Sequence, residues 1–511
     1  MQVSGPTDEF PAEFAPFNPP VDTDYVIPDG APEIAEWIRS NQPGDTLVLA
    51  GENFSLKTAD EEGEDTRFTV YAGEELLVDA SILRLDGRIG SIMLPEILPK
   101  NEMYLMWPCN AAGYGRPVAI NKAELWWVGF DRVVAGETFS VYGRNVSLKG
   151  GKSYIFVESY GWVESFSANP FKATFAVPKE LEEGSYRIWL HNGYGKAFGW
   201  SDATSIQVVS AENRSSNIFN VIDFGADGGD SYSDSEAIGN ALSAAEKVPG
   251  STVYFPAGVY LVDTVVECRS DKVVCGDGMG KSVIRSTGEF PASKPVLAAK
   301  DNVILRDLTI ECTAVLDGAD AVTMGGSGSS FLRVEFSALL DEERRTILDI
   351  TGSSYTTITD CRFIQVNDVN LTEATQARFS GCTFLGTEDC NQMVTLKGSQ
   401  YIDFSECFAG NYDETDASGS FGWCKGRWLT GAGPSKDCYF GLNETKNMLP
   451  RQSAPYAKDI SPSYIGDYEQ IDNNWGSRFG DLKIFRKLLM GERDVCILSK
   501  VRRAIFLEVM K

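Results

Sequence analysis

Ile358-Thr-Asp-Cys361-Arg-Phe363, Phe379-Ser-Gly-Cys382-Thr-Phe384, Phe404-Ser-Glu-Cys407-Phe-Ala409 and Lys436-Asp-Cys438-Tyr-Phe440 are four versions of one pattern. Their cysteines stand 21, 25 and 31 residues apart. Inside each copy apolar and polar residues alternate, the period of a strand with one buried face, and a recurrence of roughly 20 to 30 residues marks a solenoid. Each copy is then one rung. Val334 with Phe336 and Leu308 with Ile310 fill the same slots further back, so at least six rungs are readable and a parallel β-helix is expected.

The chain has 511 residues, enough for two or three domains. Its 46 basic and 72 acidic residues give a formal charge of −26, which disfavours nucleic acid and anionic membrane surfaces as partners. No run of about 18 apolar residues is present, so no transmembrane helix is expected. Met1-Gln-Val-Ser lacks the regions of a signal peptide. An extracellular or cell-surface location, with the leader absent from this sequence, and a monomeric state are the expectations.

Of eleven cysteines, Cys361, Cys382, Cys407 and Cys438 are placed on one inward column, where a thiol serves as a small hydrophobe. Their spacing suggests no zinc site. His191 is the single histidine, which argues against a serine triad and a multi-histidine metal site.

Residues 1–24 carry five prolines among acidic and small residues and read as an arm that cannot build its own core. Residues 25–121 and 122–210 then repeat one plan. Pro43-Gly-Asp-Thr-Leu-Val-Leu-Ala-Gly51-Glu-Asn53 matches Ala135-Gly-Glu-Thr-Phe-Ser-Val-Tyr-Gly143-Arg-Asn145, and Tyr104-Leu-Met-Trp107 matches Tyr186-Arg-Ile-Trp189. Two tandem β-sandwiches of about 90 residues follow. The opening motif resembles the TIG branch of immunoglobulin-like domains. Seven of the ten tryptophans fall here, Trp126 and Trp127 among them, and core packing is favoured over a sugar platform.

The solenoid, residues 217–476, opens with Phe219-Asn-Val-Ile-Asp-Phe-Gly-Ala226. A helix is expected from Ala237, Ile238, Ala241, Leu242 and Ala245 on one face, capped by Ser233 or Asp234, and Gly250-Ser-Thr-Val-Tyr-Phe-Pro-Ala-Gly-Val-Tyr260 follows. These residues and the ladder resemble the pectate-lyase-like superfamily of right-handed β-helix proteins. Together with the TIG-like repeats, the resemblance implies an all-β protein: a right-handed parallel β-helix with two N-terminal Ig-like β-sandwich domains. It also implies a carbohydrate-active protein, without fixing the reaction, because hydrolases, lyases, epimerases and tailspikes share the fold. Residues 477–511 hold nine basic and four acidic residues and read as a helical cap or an ending left by truncation.

Six and seven residues beyond each ladder cysteine the same residue types return. Asn367 and Asp368 follow Cys361, Glu388 and Asp389 follow Cys382, Asp413 and Glu414 follow Cys407, and Glu444 stands six after Cys438. With rungs about 4.8 Å apart, equal offsets stack these groups on one edge. Stacked carboxylates repel unless one holds a proton, water screens them or a cation sits between them, so they can supply a general acid beside a base or nucleophile. Glu388, Asp389, Asp413 and Glu414 are the expected catalytic residues. A solvated acidic turn, with or without calcium, is the alternative; otherwise no cofactor is implied.

The insert Asn411 to Trp428 gathers Tyr412, Asp416, Trp423, Lys425, Arg427 and Trp428, which with Asp368 are the expected substrate-binding residues. The solenoid lacks the histidine and the Arg-Ile-Lys string of polygalacturonases. It also lacks the Arg-x-Pro-x-x-Arg string of many pectate lyases, so a lyase would need Lys397, Lys425 or Arg427 as base. Hydrolysis of a plant or microbial polysaccharide is the leading expectation, with elimination or glycan binding without catalysis as alternatives.

Overall fold

The computed structural model describes residues 5–19, 25–54, 65–73, 76–148, 152–210, 216–313, 321–338, 346–364, 369–386 and 392–411. It also describes the backbone of 427–431, 436–441, 443–446, 464–465, 467–470 and 473–476. The chain forms two compact units, whose described residues run from 5 to 210 and from 216 to 476. The basic stretch 477–511 lies outside the described residues. Among the described residues one α-helix occurs, Ser235–Glu246, so the all-β expectation holds.

The first unit contains two sandwiches. In the first, Thr46–Glu52 lies between Glu33–Trp37 and Ile89–Met93, and a second sheet is centred on Arg67–Ala72 and Tyr104–Asn110. Leu47, Leu49 and Ile92 from one sheet meet Phe68, Val70, Tyr104 and Met106 from the other in a single core. The second sandwich repeats this with Val141, Phe139 and Phe175 against Ile155, Ile188, Leu190 and Ile206.

The duplicated motif has a steric origin. A β-bulge interrupts the pairing of Glu33–Trp37 with Thr46–Glu52, and an equivalent one that of Glu124–Val128 with Thr138–Arg144. At these bulges a Cβ on Gly51 would come within 1.8 Å of the Glu33 carbonyl oxygen, and one on Gly143 within 1.8 Å of that of Glu124. Only glycine fits. Two residues on, Asn53 and Asn145 take the left-handed conformation.

Asparagines also join the sandwiches. Asn192 Nδ2 donates to the carbonyls of Asn121 (3.0 Å) and Asn145 (2.9 Å), and Asn121 Nδ2 donates to Asn41 O at 2.8 Å. The arm is a packed element as well. Its composition hides three anchors, Phe10, Phe14 and Phe17, and the last two are buried. Phe10 and Phe14 lie on Trp162 and His191 of the second sandwich, while Phe17 meets Tyr71 of the first. Trp37, Trp107, Trp127 and Trp200 are buried, which agrees with the packing role expected for the tryptophans.

The second unit is a parallel β-helix. Its entry helix buries Ile238, Ala241 and Ala245, the face expected from their spacing. Asp234 stands at the helix N-cap position without capping it. Its carboxylate instead accepts the N–H groups of Asp227 (2.7 Å) and Leu261 (3.0 Å), tying the entry loop to the first full rung.

Rung register is carried by inward columns. Leu308, Val334 and Cys361 share one, and Cys382 and Cys407 continue it one rung at a time. Ile284, Ile310, Phe336, Phe363, Phe384 and Ala409 share a second. Phe331, Ile358, Phe379, Phe404 and Phe440 share a third. Rings of neighbouring rungs stack nearly parallel: Phe336 on Phe363 at 5.0 Å, Phe363 on Phe384 at 4.8 Å and Phe379 on Phe404 at 4.4 Å. Each such contact contributes about 0.5–1.5 kcal/mol beyond area burial.

The fourth copy of the pattern departs from the expected register. Cys438 pairs with Ile402, and Phe440 continues the Phe379–Phe404 column instead of the Phe363–Phe384 column. Two columns carry aromatic residues at inward positions, so alternation identified the face and left the column open. Between the third and first columns five successive rungs turn at a left-handed residue: Asp307, Arg333, Asp360, Gly381 and Glu406, with φ from 50° to 64°.

Two tests follow from the columns. Phe363→Ala opens a void between two stacked rings and should cost about 3–5 kcal/mol in urea unfolding of the solenoid, whereas Phe363→Leu should cost less than half of that. The seven cysteines whose side chains are described are all buried, and burial pushes the Cys361 and Cys407 thiols up and the Cys268 thiol up to about 12. Peptide mapping after maleimide treatment should therefore find them unlabelled in the native protein and labelled in guanidinium.

Candidate active site

The acidic turns leave the solenoid from registered positions. The strands Arg362–Ile364, Thr383–Gly386 and Phe408–Asn411 lie side by side, with Ile364 opposite Leu385, Leu385 opposite Gly410 and Gly386 opposite Asn411. Register is thus fixed to within two residues of Glu388 and Asp413. Glu388, Asp389, Asp413, Glu414, Asp368, Tyr412, Asp416, Trp423 and Lys425 themselves lie outside the described residues. Glu444 leaves the expected series, because it pairs with Phe408, one position after the cysteine slot instead of six.

Beyond each turn begins a seven-stranded parallel sheet. Val369 and Leu371 of the strand Val369–Thr372, and Val394 and Leu396 of Gln392–Lys397, point inward and are fully buried. Alternation sends the residues between them outward. Asp349, Asn370 and Thr395 form one outward column, in which Thr395 is covered, and Thr372 lies beside Lys397 in the next. Arg427 pairs with Gln392 and Thr430 with Thr395, so Arg427 and Trp428 open the strand that extends this sheet.

The outward groups are ordered by their own hydrogen bonds. Asn370 Nδ2 donates to Asp349 Oδ1 at 2.9 Å, and the Thr351 hydroxyl donates to the same oxygen at 2.6 Å. The Thr372 hydroxyl donates to Asn370 Oδ1 at 2.9 Å. Lys397 is exposed next to this network. Rows about 4.8 Å apart, with outward residues about 7 Å apart along each strand, place a carboxylate, an amide, hydroxyls and an ammonium on a grid of sugar-ring scale. Such groups can donate to and accept from hydroxyls while the rigid sheet holds them.

The long sheet has a different outer face. Arg362 Nη1 lies 2.9 Å from Glu335 Oε2, Arg285 Nη2 lies 2.8 Å from Glu311 Oε2, and Arg378 Nε lies 3.5 Å from Asp403 Oδ2, each on an adjacent rung. Cross-rung pairing of opposite charge neutralises these carboxylates, so this face is built for stability. Among the described residues no trio of His, Cys, Asp or Glu is placed to hold a metal ion, and the calcium alternative concerns turns outside them.

Lys397 is expected from the sequence only as an alternative base, and Asp349, Thr351, Asn370 and Thr372 come to light in the structure alone. The available signal was the alternation in Val369-Asn-Leu-Thr372 and Val394-Thr-Leu-Lys397, whose polar residues share slots.

Residues 218–401 match the family model described as rhamnogalacturonase A/epimerase, pectate lyase-like. The second unit is therefore a pectate-lyase-like parallel β-helix. Among curated proteins, alginate lyase 7 of Azotobacter vinelandii is 40% identical over 74 residues, 13% of this chain and 9% of that protein. The mannuronan C5-epimerase AlgE3 of the same organism is 42% identical over 74 residues, 13% of this chain and 4% of that protein. The chain thus spans less than a tenth of the length of these relatives. Among solved structures, the family 28 exopolygalacturonase of Yersinia enterocolitica shares 11% identity at a TM-score of 0.33, covering 68% of this chain and 86% of that one.

The polar network carries a stability signature. Asn370→Leu leaves Asp349 and Thr372 each short of a partner and should cost about 1–3 kcal/mol in urea unfolding. Lys397→Ala, at an exposed position, should stay within about 0.5 kcal/mol of the native value.

Proposed function

We propose that this protein is an extracellular carbohydrate-active enzyme that cleaves a polysaccharide at the edge where the turns after Ile364, Gly386 and Asn411 meet the seven-stranded sheet. The observation that carries the reading is register: it runs to within two residues of Glu388 and Asp413, beside the row formed by Asp349, Asn370, Thr372 and Lys397. The pectate-lyase-like family match supports the same substrate class.

The leading reaction is glycoside hydrolysis. Carboxyl groups leaving adjacent rungs at equal offsets stand about 5 Å apart, the separation that goes with retention of configuration. One member of Glu388 or Asp389, kept protonated by its neighbour's charge, gives its proton to the leaving oxygen. One member of Asp413 or Glu414 attacks the anomeric carbon, and water later releases the sugar with the first group acting as base. Arg427, Trp428 and the insert before them would hold the chain of sugars.

A second reading has its own observation. Lys397 is exposed beside Thr372, and relatives over a short segment are named alginate lyase and mannuronan epimerase. In that reading a neutral amine takes the proton at C5 of a uronate, the bond from C4 to the bridging oxygen breaks with that oxygen taking a proton from water, and an unsaturated sugar remains.

Product analysis separates the two. Hydrolysis yields new reducing ends without the ultraviolet absorbance of an unsaturated uronate, while elimination yields both together. Glu388→Gln, Asp389→Asn, Asp413→Asn and Glu414→Gln are each expected to be made singly, and at least two of them should lower kcat by about 100-fold or more with the fold retained. Unchanged turnover in all four would remove the carboxylate assignment; loss of activity confined to Lys397→Ala would transfer the reading to elimination. Binding of glycans without cleavage across a broad panel would sink both reactions.

A further inference from the structure

We infer that the N-terminal arm is a proton-responsive strap, which bridges the two sandwiches while His191 is neutral and is released when His191 takes a proton. The chain's single histidine lies wholly buried beneath the arm. The Phe14 ring stacks on the imidazole with centroids 4.7 Å apart, and Phe10 lies 5.8 Å away. Trp162 and Trp200 close the other sides at 5.9 and 5.1 Å.

Both ring nitrogens are engaged in a way that suits one neutral tautomer. Nδ1 accepts the Gly193 N–H at 3.0 Å, and Nε2 donates to the Lys196 carbonyl at 2.9 Å. A second proton can go only to Nδ1, where it would face the Gly193 N–H in place of an acceptor. Gly193 is also the arm's anchor, since its carbonyl accepts the Ala15 N–H at 3.3 Å. Protonation therefore acts on the residue that ties down the arm.

The strap has a second foothold. Asn18 N–H donates to the Tyr71 hydroxyl at 3.0 Å, and Phe17 lies edge-on to Tyr71 at 5.0 Å, both on the first sandwich. On the N-terminal side of both, Trp162 Nε1 donates to the Glu9 carbonyl at 3.1 Å. Release of the middle would thus free a segment that spans both sandwiches.

The surroundings disfavour a charged ring. Burial pushes the His191 pKa down to about 4, the Lys196 carbonyl opposes this, and the Lys122 ammonium on the connector between the sandwiches adds to it. Glu13 on the arm, Glu164 on the strand Gly161–Glu164, and Lys152 act on the neighbouring Tyr154, whose ring contacts Phe14. The sign follows from linkage: a histidine depressed in the docked state contributes fully above its ordinary value near 6.5, and that contribution is lost as pH falls through about 4. If release restores the ordinary value, the ratio of docked to released arm falls by roughly a few hundredfold over that window.

The test uses the full chain. Hydrogen exchange of residues 5–19, corrected for intrinsic rates, is followed from about pH 7.5 to about pH 4 alongside the single histidine Cε1–H resonance. Arm protection should fall more than tenfold with a midpoint at the histidine's own titration, while the strand Tyr154–Val157 stays protected. In His191→Gln the arm should show no such transition, and Phe14→Ala should expose it already near neutral pH. Arm protection that persists through the histidine titration would overturn the inference, as would loss of the Tyr154–Val157 amides in the same step. An equal transition in His191→Gln would also overturn it. If that variant does not fold, a separation of more than about one pH unit between the two wild-type midpoints decides against it.

Discussion

Stacking of like side chains on successive rungs is the interaction on which the solenoid depends. Parallel strands gain no register from hairpin turns, so something else must stop one rung from sliding along the next. Here the stop is the interior: Phe336, Phe363 and Phe384 in one column, Phe379 and Phe404 in another, and three cysteines between them. A slip of one residue would drive Arg362 or Thr383 into the core in place of a phenylalanine. The outer face repeats the constraint in electrostatic form, because Arg362 meets Glu335, and Arg378 meets Asp403, only in the observed register.

The first unit solves a different problem, holding two similar sandwiches together: Tyr194 and Phe198 of the second pack against a cluster that includes Tyr71, Met103 and Leu105 of the first, and hydrogen bonds supplement this contact. Asn41, Asn121, Asn145 and Asn192 do so through main-chain carbonyls, which are present whatever the side chains are. Asn121 and Asn145 are also left-handed, so the residue that turns the chain is the one that makes the joint. The arm adds an aromatic layer over this joint, and its energetics depend on the protonation of one ring.

Much of the solenoid was legible because its signal is repetitive. Cys361, Cys382 and Cys407 stand one residue before strands that pair directly, and Val334 with Leu308 extends their column as their spacing implied. Cys438 was misplaced for a physical reason: the columns on either side of the cysteines both accept phenylalanine, and a Cys-x-Phe string cannot say which it has joined. The duplicated glycines of the sandwiches were readable as a pattern, but their cause, a carbonyl 1.8 Å from where a Cβ would be, exists only in three dimensions. Phe10, Phe14 and Phe17 were hidden by averaging, since a proline-rich composition dilutes three anchors. Of the expected site, the row from which the acids depart was legible, while Asp349 and Asn370 were not, because their strands are too short to announce an outer face.

The left-handed corners at Asp307, Arg333, Asp360, Gly381 and Glu406 fix one side of five successive rungs to the same sharp bend. On the opposite side the connection grows from four residues after Ile364 to five after Gly386 and fifteen after Asn411, while the strands that resume beyond it keep their pairing. Lengthening a connection from four to fifteen residues costs only about 1 kcal/mol of closure entropy. The solenoid thus separates a margin that cannot vary from one that can. New sequence can accumulate along the second margin without a single rung having to refold, which makes that edge the place where descendants of this protein can differ in what they recognise.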